Sequence, residues 1–301
     1  MKRVLVVYKR TTLQRYEARG DDRVKTLLAM GDRSVENLES AHASHLETLR
    51  RTKRFLLRRD VDATFAHRVK GLDARWDLVV TLGGDGTLLW SSHLVDGETP
   101  MLSVNSAPMA SVGYFAGASR DDVEEGLDAA LTGRMRATRL TRMEVRVDGE
   151  VRHRRVLNDV LWCHASPAAT TRYLIRHGDV EEEHRSSGAW VGPAAGSTAA
   201  QRSAGGKVLP LRSKKLQFVV REPYQPGDTR FRLAKGLVAP DDELVIKSKI
   251  RDGRLFFDGA QKVAEIDVGA EIVMRRSPEP LQLLGLTRAG ASSTRSSEAP
   301  A

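Results

Sequence analysis

The chain has 301 residues, 41% hydrophobic and 29% charged, with 48 Lys and Arg against 39 Asp and Glu for a formal net charge of +9. That length supports two domains with substantial cores, and the balance of residues is that of a globular protein rather than a disordered one. The single cysteine, Cys163, excludes an intramolecular disulfide and a cysteine-built metal site, which fits a reducing compartment. No apolar run reaches the length of a membrane span, and residues 4–8 are too short for a signal-peptide core, so no membrane role and a cytoplasmic address are expected. The basic excess fits a polyanionic ligand such as a nucleotide. Nucleic acid is not expected, because arginines are dispersed outside residues 50–59 (RRTKRFLLRR) and aromatics are only 5%.

Taken in chain order, residues 4–8 (VLVVY) read as a short buried strand. Residues 35–57 place Val35, Leu38, His45, Leu46 and Leu49 on one helical face. A strand is expected over 77–82, a helix from Thr87, a strand over 101–104, and a helix over 121–131 that starts with acidic residues. This alternation calls for a mainly parallel sheet covered by helices, with ligands at the carboxyl ends of the strands. From about Arg139 the period changes to two. Met143, Val145 and Val147 alternate with polar residues, Asp148-Gly149 makes a hairpin turn, and Val151 resumes the pattern. Further strand segments are read at 172–176, 216–220, 243–249 and 255–257, with Arg251-Asp252-Gly253 as another hairpin-type turn. The fold expected is a Rossmann-like α/β domain over 1–138, followed by an antiparallel β-sandwich over 139–270. A strand at 271–275 is expected to carry residues 271–287 back to the first domain. Residues 288–301, small and polar, are expected to be disordered.

Three motifs carry chemistry. The first is Gly83-Gly84-Asp85-Gly86-Thr87, between a strand and a helix. Backbone N–H groups at such a turn hold phosphate, since glycines allow close approach and the helix dipole favours anions. A carboxylate there would repel phosphate. Asp85 is therefore a base for a hydroxyl, a partner for a metal ion that escorts phosphates, or a capping residue for the helix. The second is Asn158-Asp159, in which an amide can read a base edge and a carboxylate can grip ribose hydroxyls; it is also a common turn dipeptide. The third is the small-residue run of residues 186–206, where Ser197, Thr198 and Ser203 supply hydroxyls. A flexible low-complexity loop is its other reading. His42 and His45 share a helix without an evident carboxylate partner, Glu181-Glu182-Glu183 reads as a solvated hairpin tip, and Trp190 flanks a ligand or packs.

These motifs, in this order, resemble those of the NAD kinase family from about Val4 to Leu284. A late Asp258-Gly259 is similar too. Val104-Asn105-Ser106, Arg185-Ser186-Ser187-Gly188, Arg221-Glu222-Pro223 and the amino-terminal Val6-Val7-Tyr8-Lys9-Arg10-Thr11-Thr12 resemble the divergent, mitochondrial-type branch and its bacterial relatives. The resemblance implies phosphorylation of the adenosine-ribose 2′-hydroxyl of NAD(H), using ATP or another phosphoryl donor and a divalent metal ion, Mg2+, in a homo-oligomer. It implies Asp85 as proton acceptor. It further implies that Gly83, Gly84, Gly86, Thr87, Asn158, Asp159, Thr198, Ala199, Ala200, Gln201, Arg202, Ser203 and Asp258 bind the nucleotides. The chain departs from the family pattern at Pro193-Ala194-Ala195 (usually Thr-Pro-Thr), at Ala200 (usually Tyr), at Ser187 (often Asp) and at Asp159 (often Glu). Two other readings stand beside this one: a lipid or sphingoid-base kinase, which shares the glycine-aspartate turn but not the later motifs, and a non-catalytic dinucleotide-binding regulator.

Overall fold

The computed structural model describes residues 1–67, 69, 75–225, 227 and 230–286. The segment 288–301 lies outside the described residues. The chain forms two compact units, Met1–Thr138 with Gln282–Ala301, and Arg139–Leu281.

In the first unit the strands run in the order Val61–Ala66, Lys2–Tyr8, Leu78–Gly83, Pro100–Asn105, Leu281–Leu284, Ala137–Leu140. Pairing is parallel from Val61–Ala66 through to Leu281–Leu284. Val4, Val6, Val80, Leu82, Leu102 and Val104 are fully buried. Unbroken apolar runs of this kind are what a sheet covered on both faces requires. Helices Leu38–Leu57 and Val123–Leu131 pack against each other and the sheet, and helix Asp85–Ser92 packs on the strands Leu78–Gly83 and Pro100–Asn105.

Helix Leu38–Leu57 differs from its expected apolar face. A 3-10 turn, Arg33–Val35, precedes it, and its buried residues are Ser44, His45, Thr48, Thr52 and Leu56. Leu38, Leu46 and Leu49 are only half-buried. The reason lies in what this face covers. Ser44 Oγ donates to Ser106 O at 2.8 Å, His45 Nδ1 meets Ser106 Oγ at 2.8 Å, and Thr48 Oγ1 donates to Ser44 O at 2.8 Å. The chain bend after Pro100–Asn105 carries polar backbone groups, which need partners once buried.

The second unit is a sandwich. One sheet orders Val180–Ser186, Thr171–His177, Glu243–Ser248, Glu271–Arg276, Met143–Val147, Glu150–Val156. The other orders Lys235–Val238, Leu216–Val220, Ala189–Pro193, Val160–His164, Gly253–Phe257, Lys262–Ile266. One core joins them, with Met143, Val145, Tyr173 and Ile246 from the first and Trp162, Val191, Phe218 and Leu255 from the second. Asp148 (φ 52°) and Gly149 (φ 83°) turn the Met143–Val147 hairpin as expected, because two successive left-handed residues match the twist of a tight hairpin. Glu144 is 1% exposed yet accepts from Arg146, Arg154 and Arg275 at 2.8–2.9 Å. Burial pushes its carboxyl up, but the three guanidinium bonds outweigh this and hold it below its ordinary range.

Three expectations are corrected here. The returning strand is Leu281–Leu284, whereas Glu271–Arg276 pairs with Glu243–Ser248 and Met143–Val147 inside the second unit. Residues 251–253 make no hairpin, because the strands they join lie in different sheets. Glu181–Glu183 lies within the strand Val180–Ser186, and the turn is at 178–179. Glu182 accepts Arg232 N at 2.8 Å and Leu233 N at 2.9 Å, so it is tied down rather than solvated.

Gly253, where the chain crosses between sheets, has no room for a side chain: an added Cβ would lie 2.5 Å from the Trp162 ring and 2.7 Å from Ile266 O. Gly253→Ala should therefore destabilise the chain by about 1–3 kcal/mol through overpacking. A thermal melt should show a fall of several degrees, about 2–4 °C per kcal/mol for a unit of this size.

Candidate active site

In the first unit, strand Leu78–Gly83 is buried throughout and ends at the glycine turn. Gly84 is the N-cap in an extended conformation, and helix Asp85–Ser92 begins one residue later, two residues before the expected start at Thr87. The glycines differ in why they are glycines. A Cβ on Gly83 would strike Thr87 Oγ1, and one on Gly84 would strike Ser111 Oγ, so both are required by close packing. Gly86 meets nothing within 4 Å, is exposed, and has an ordinary φ. Nothing in the folded chain requires a glycine there, which leaves open space directly against the backbone of the first helical turn. Thr87 N donates to Gly84 O at 2.9 Å, while an N–H earlier in the first turn has no acceptor one turn back and lies at the positive end of the helix dipole.

Asp85 does not cap its own helix. Its Oδ2 accepts Tyr114 N at 2.9 Å and its Oδ1 accepts Phe115 N at 3.0 Å, holding residues 106–117 beside the turn. That loop is fixed from beneath as well: Asn105 Nδ2 donates to Ser111 O at 2.9 Å, and Ser106 N donates to Gly83 O at 3.1 Å. Each carboxylate oxygen retains acceptor capacity, since two oxygens offer about four lone-pair sites. Neither Tyr114 nor Phe115 stands in a motif of the sequence, and Ser106 stands there only as the end of Val104-Asn105-Ser106. The signal for them lies in three dimensions, in the loop folding back on the turn.

In the second unit, Asn158 and Asp159 sit between strands Glu150–Val156 and Val160–His164. Asp258 accepts Leu157 N at 2.8 Å, Asn158 N at 2.7 Å and Asp159 N at 2.9 Å, while its own N–H donates to Asp159 O at 2.9 Å. It does so with φ 49°, a left-handed conformation that non-glycine residues adopt at some cost. Asp258 and the Asn-Asp pair are thus brought together, with Asp258 holding the pair through its backbone.

The small-residue run is ordered rather than a loose loop: strand Ala189–Pro193, 3-10 turn Ala194–Thr198 and a short helix Ala200–Ser203. Cβ atoms on Gly192 or Gly196 would strike Asn158 O, so glycine there lets the run lie against the Asn-Asp backbone. Gln201 is fully buried, with Nε2 donating to Asn158 O at 3.4 Å and Oε1 accepting from Gln217 at 3.0 Å. Ser197 is likewise spent internally, donating to Ala194 O and accepting Leu209 N. Thr198, Ala199, Ala200, Arg202 and Ser203 retain exposure. Trp190 is half-buried on the strand, with the Arg221 guanidinium 5.9 Å from its ring centre. Among the described residues no three metal-ligating side chains converge. This donor set does not make a protein-built metal site; a divalent cation here would fit only as one carried by nucleotide phosphates with most of its waters.

An open, mostly parallel sheet and an antiparallel sandwich in one chain is an architecture shared with solved structures. The chain matches an NAD kinase from Archaeoglobus fulgidus, solved in complex with ATP, with a TM-score of 0.68, 21% identity and coverage of 93% and 92% of the two chains. It matches yeast NADH kinase, solved with NADH, with a TM-score of 0.66, 17% identity and coverage of 95% and 84%. These likenesses establish the fold. Residues 23–135 match the family model described as the ATP-NAD kinase N-terminal domain. The chain is 34% identical over 248 residues to the "Probable NADH kinase" of Oryza sativa subsp. japonica, covering 75% of this chain and 76% of that protein. It is 32% identical over 218 residues to the NADH kinase of Arabidopsis thaliana, covering 65% and 68%. The chain belongs to the NAD kinase family.

The carboxyl of Asp159 is pushed up to about 7, by burial first and by the neighbouring Asp258 charge second, against a smaller opposing effect of the Asn158 hydrogen bond. Between about pH 4 and 7 the native chain therefore keeps a proton that the unfolded chain releases, and stability falls as pH rises through this window. The contribution is of the order of 2–4 kcal/mol. Urea unfolding of wild type and Asp159→Asn across pH 4–8 should show this slope in the wild type and its loss in the variant.

Proposed function

We propose that this chain transfers the γ-phosphoryl group of ATP to the adenosine-ribose 2′-hydroxyl of NAD or NADH, forming NADP or NADPH and ADP. Membership of the NAD kinase family supports the reaction, and the two relatives named NADH kinases support acceptance of the reduced form. The observation that carries the chemistry is the carboxylate of Asp85 on the first helical turn, one residue from the open backbone at Gly86.

Asp85 is assigned as the proton acceptor. The 2′-oxygen attacks the γ-phosphorus, the bond from that phosphorus to the bridging oxygen of ADP breaks, and the hydroxyl proton passes to the Asp85 carboxylate and later to solvent. The amides of Gly84, Asp85 and Gly86, at the positive helix end, are assigned to phosphate. Asn158 and Asp159 are assigned to the dinucleotide. Near neutral pH Asp159 carries a proton part of the time, so it can donate as well as accept toward a ribose hydroxyl or an amide. Thr198, Ala199, Ala200, Arg202 and Ser203 are the exposed members of the run assigned to line the ligand. Gln201 and Asp258 act behind it, by holding the backbone of Asn158 and its neighbours. A divalent cation, when bound with ATP, supplies neutralisation of phosphate charge, and no step here is routed through it.

Asp85→Asn tests the assignment. An amide keeps the size but cannot take the proton, and loss of a general base costs about 10²–10⁴ in rate. The variant should show that fall in kcat for NADP(H) formation, with NAD binding by calorimetry changed only a few-fold. Neither diacylglycerol nor sphingosine in detergent should be phosphorylated by the wild type. Wild-type turnover in Asp85→Asn would remove Asp85 from this role, and lipid phosphorylation comparable with that of NAD would favour the lipid-kinase reading.

A further inference from the structure

Resting on the proposed reaction, we infer that Lys9 grips the phosphates of the nucleoside triphosphate donor. Lys9 follows strand Lys2–Tyr8 directly, and its N–H donates to Leu82 O at 3.3 Å, immediately before Gly83. Ser106 flanks the same strand end from the other side, donating to Gly83 O at 3.1 Å. Three parallel strands therefore end together, with Lys9 on one side of the glycine turn and Ser106 on the other. In open parallel sheets this carboxyl edge is where ligands lie.

The surroundings of Lys9 are built for an anion that the chain itself does not provide. The side chain is half-buried, and among the described residues no Asp or Glu pairs with its ammonium group. Burial, and then the charge of Arg15, push its pKa down. His45, 1% exposed, lies near enough that its own pKa is pushed to about 4, by burial first and by the Lys9 charge second. It is thus a neutral ring at pH 7 and offers Lys9 no compensation. Taking a cation partly out of water costs free energy unless an opposite charge arrives. Two neighbouring polar side chains are held by other partners. His45 Nδ1 is engaged with Ser106 Oγ at 2.8 Å. Thr11, 4% exposed, is locked by reciprocal bonds with Gln14 at 3.0 and 3.2 Å and by His42 Nδ1 at 2.8 Å. A compact ammonium without an acidic partner, on a residue whose backbone bonds the strand that leads into the glycine turn, suits a phosphate as lysine does in other nucleotide sites.

The test uses the wild-type chain first. An amine-acylating reagent applied near pH 7.5, with the Lys9 peptide followed by mass spectrometry, should modify Lys9 readily. Saturating ATP with magnesium should slow that modification at least about tenfold, in line with a charge-assisted contact. NAD alone should leave it unchanged. Lys9→Gln should raise the ATP dissociation constant about 10- to 100-fold with the NAD constant held within two-fold, and Lys9→Arg should recover most of the loss. Unchanged acylation in the presence of bound ATP, protection by NAD instead of ATP, or no ATP binding at all would each overturn the inference. ATP protection in a chain that makes no NADP(H) would sustain this inference and defeat the proposed reaction. Full NADP(H) formation without protection would do the reverse.

Discussion

Both oxygens of the Asp85 carboxylate hold backbone N–H groups of the loop that returns to the glycine turn, at 2.9 and 3.0 Å. That pair of bonds is the constraint on which the first unit's site depends. It fixes the direction of the carboxylate without filling it, and it ties residues 106–117 to the strand end. Ser106 then extends the arrangement to helix Leu38–Leu57 through Ser44 and His45. A helix that would ordinarily bury leucines instead buries hydroxyls and a neutral imidazole, because the site beneath it is made of backbone polar groups.

The second unit uses the same device. Asp258 accepts three consecutive N–H groups and so shapes the Asn158-Asp159 turn, while glycines at 192 and 196 let the small-residue run approach Asn158 O. Burial first, and the charge of Asp258 beside it second, hold the proton of Asp159 to about pH 7. Asp85 and Asp258 thus both act as acceptors for backbone N–H groups of a neighbouring loop.

The α/β alternation, the switch to period two near Arg139 and the Asp148-Gly149 hairpin were legible because each is a local pattern: buried runs, alternation, a turn dipeptide. The glycine-aspartate turn was legible as a strand-to-helix junction. What the sequence could not reveal was which partner each group takes. Residues 251–253 look like a hairpin turn, but the strands they join pair in different sheets, with Gly253 packed under the Trp162 ring. Residues 271–275 alternate like any other strand, so nothing local says that the return to the first sheet waits until Leu281–Leu284. Asp258 resembles a ligand-binding residue by motif, and nothing local reveals that its carboxylate accepts three amides close to 100 residues away in the chain. His45 stands in the sequence beside His42 on one helix without a carboxylate partner, and its surroundings emerge only with Ser106 and Lys9 beside it.

The most direct measurement of the central claim is phosphorus NMR of the product formed by the purified full chain from NAD, ATP and magnesium. The account predicts one new phosphate monoester resonance, coupled to the H2′ proton of the adenosine ribose, with one ADP formed for each. Release of inorganic phosphate alone, a monoester on another hydroxyl, or no product from either NAD or NADH would contradict it.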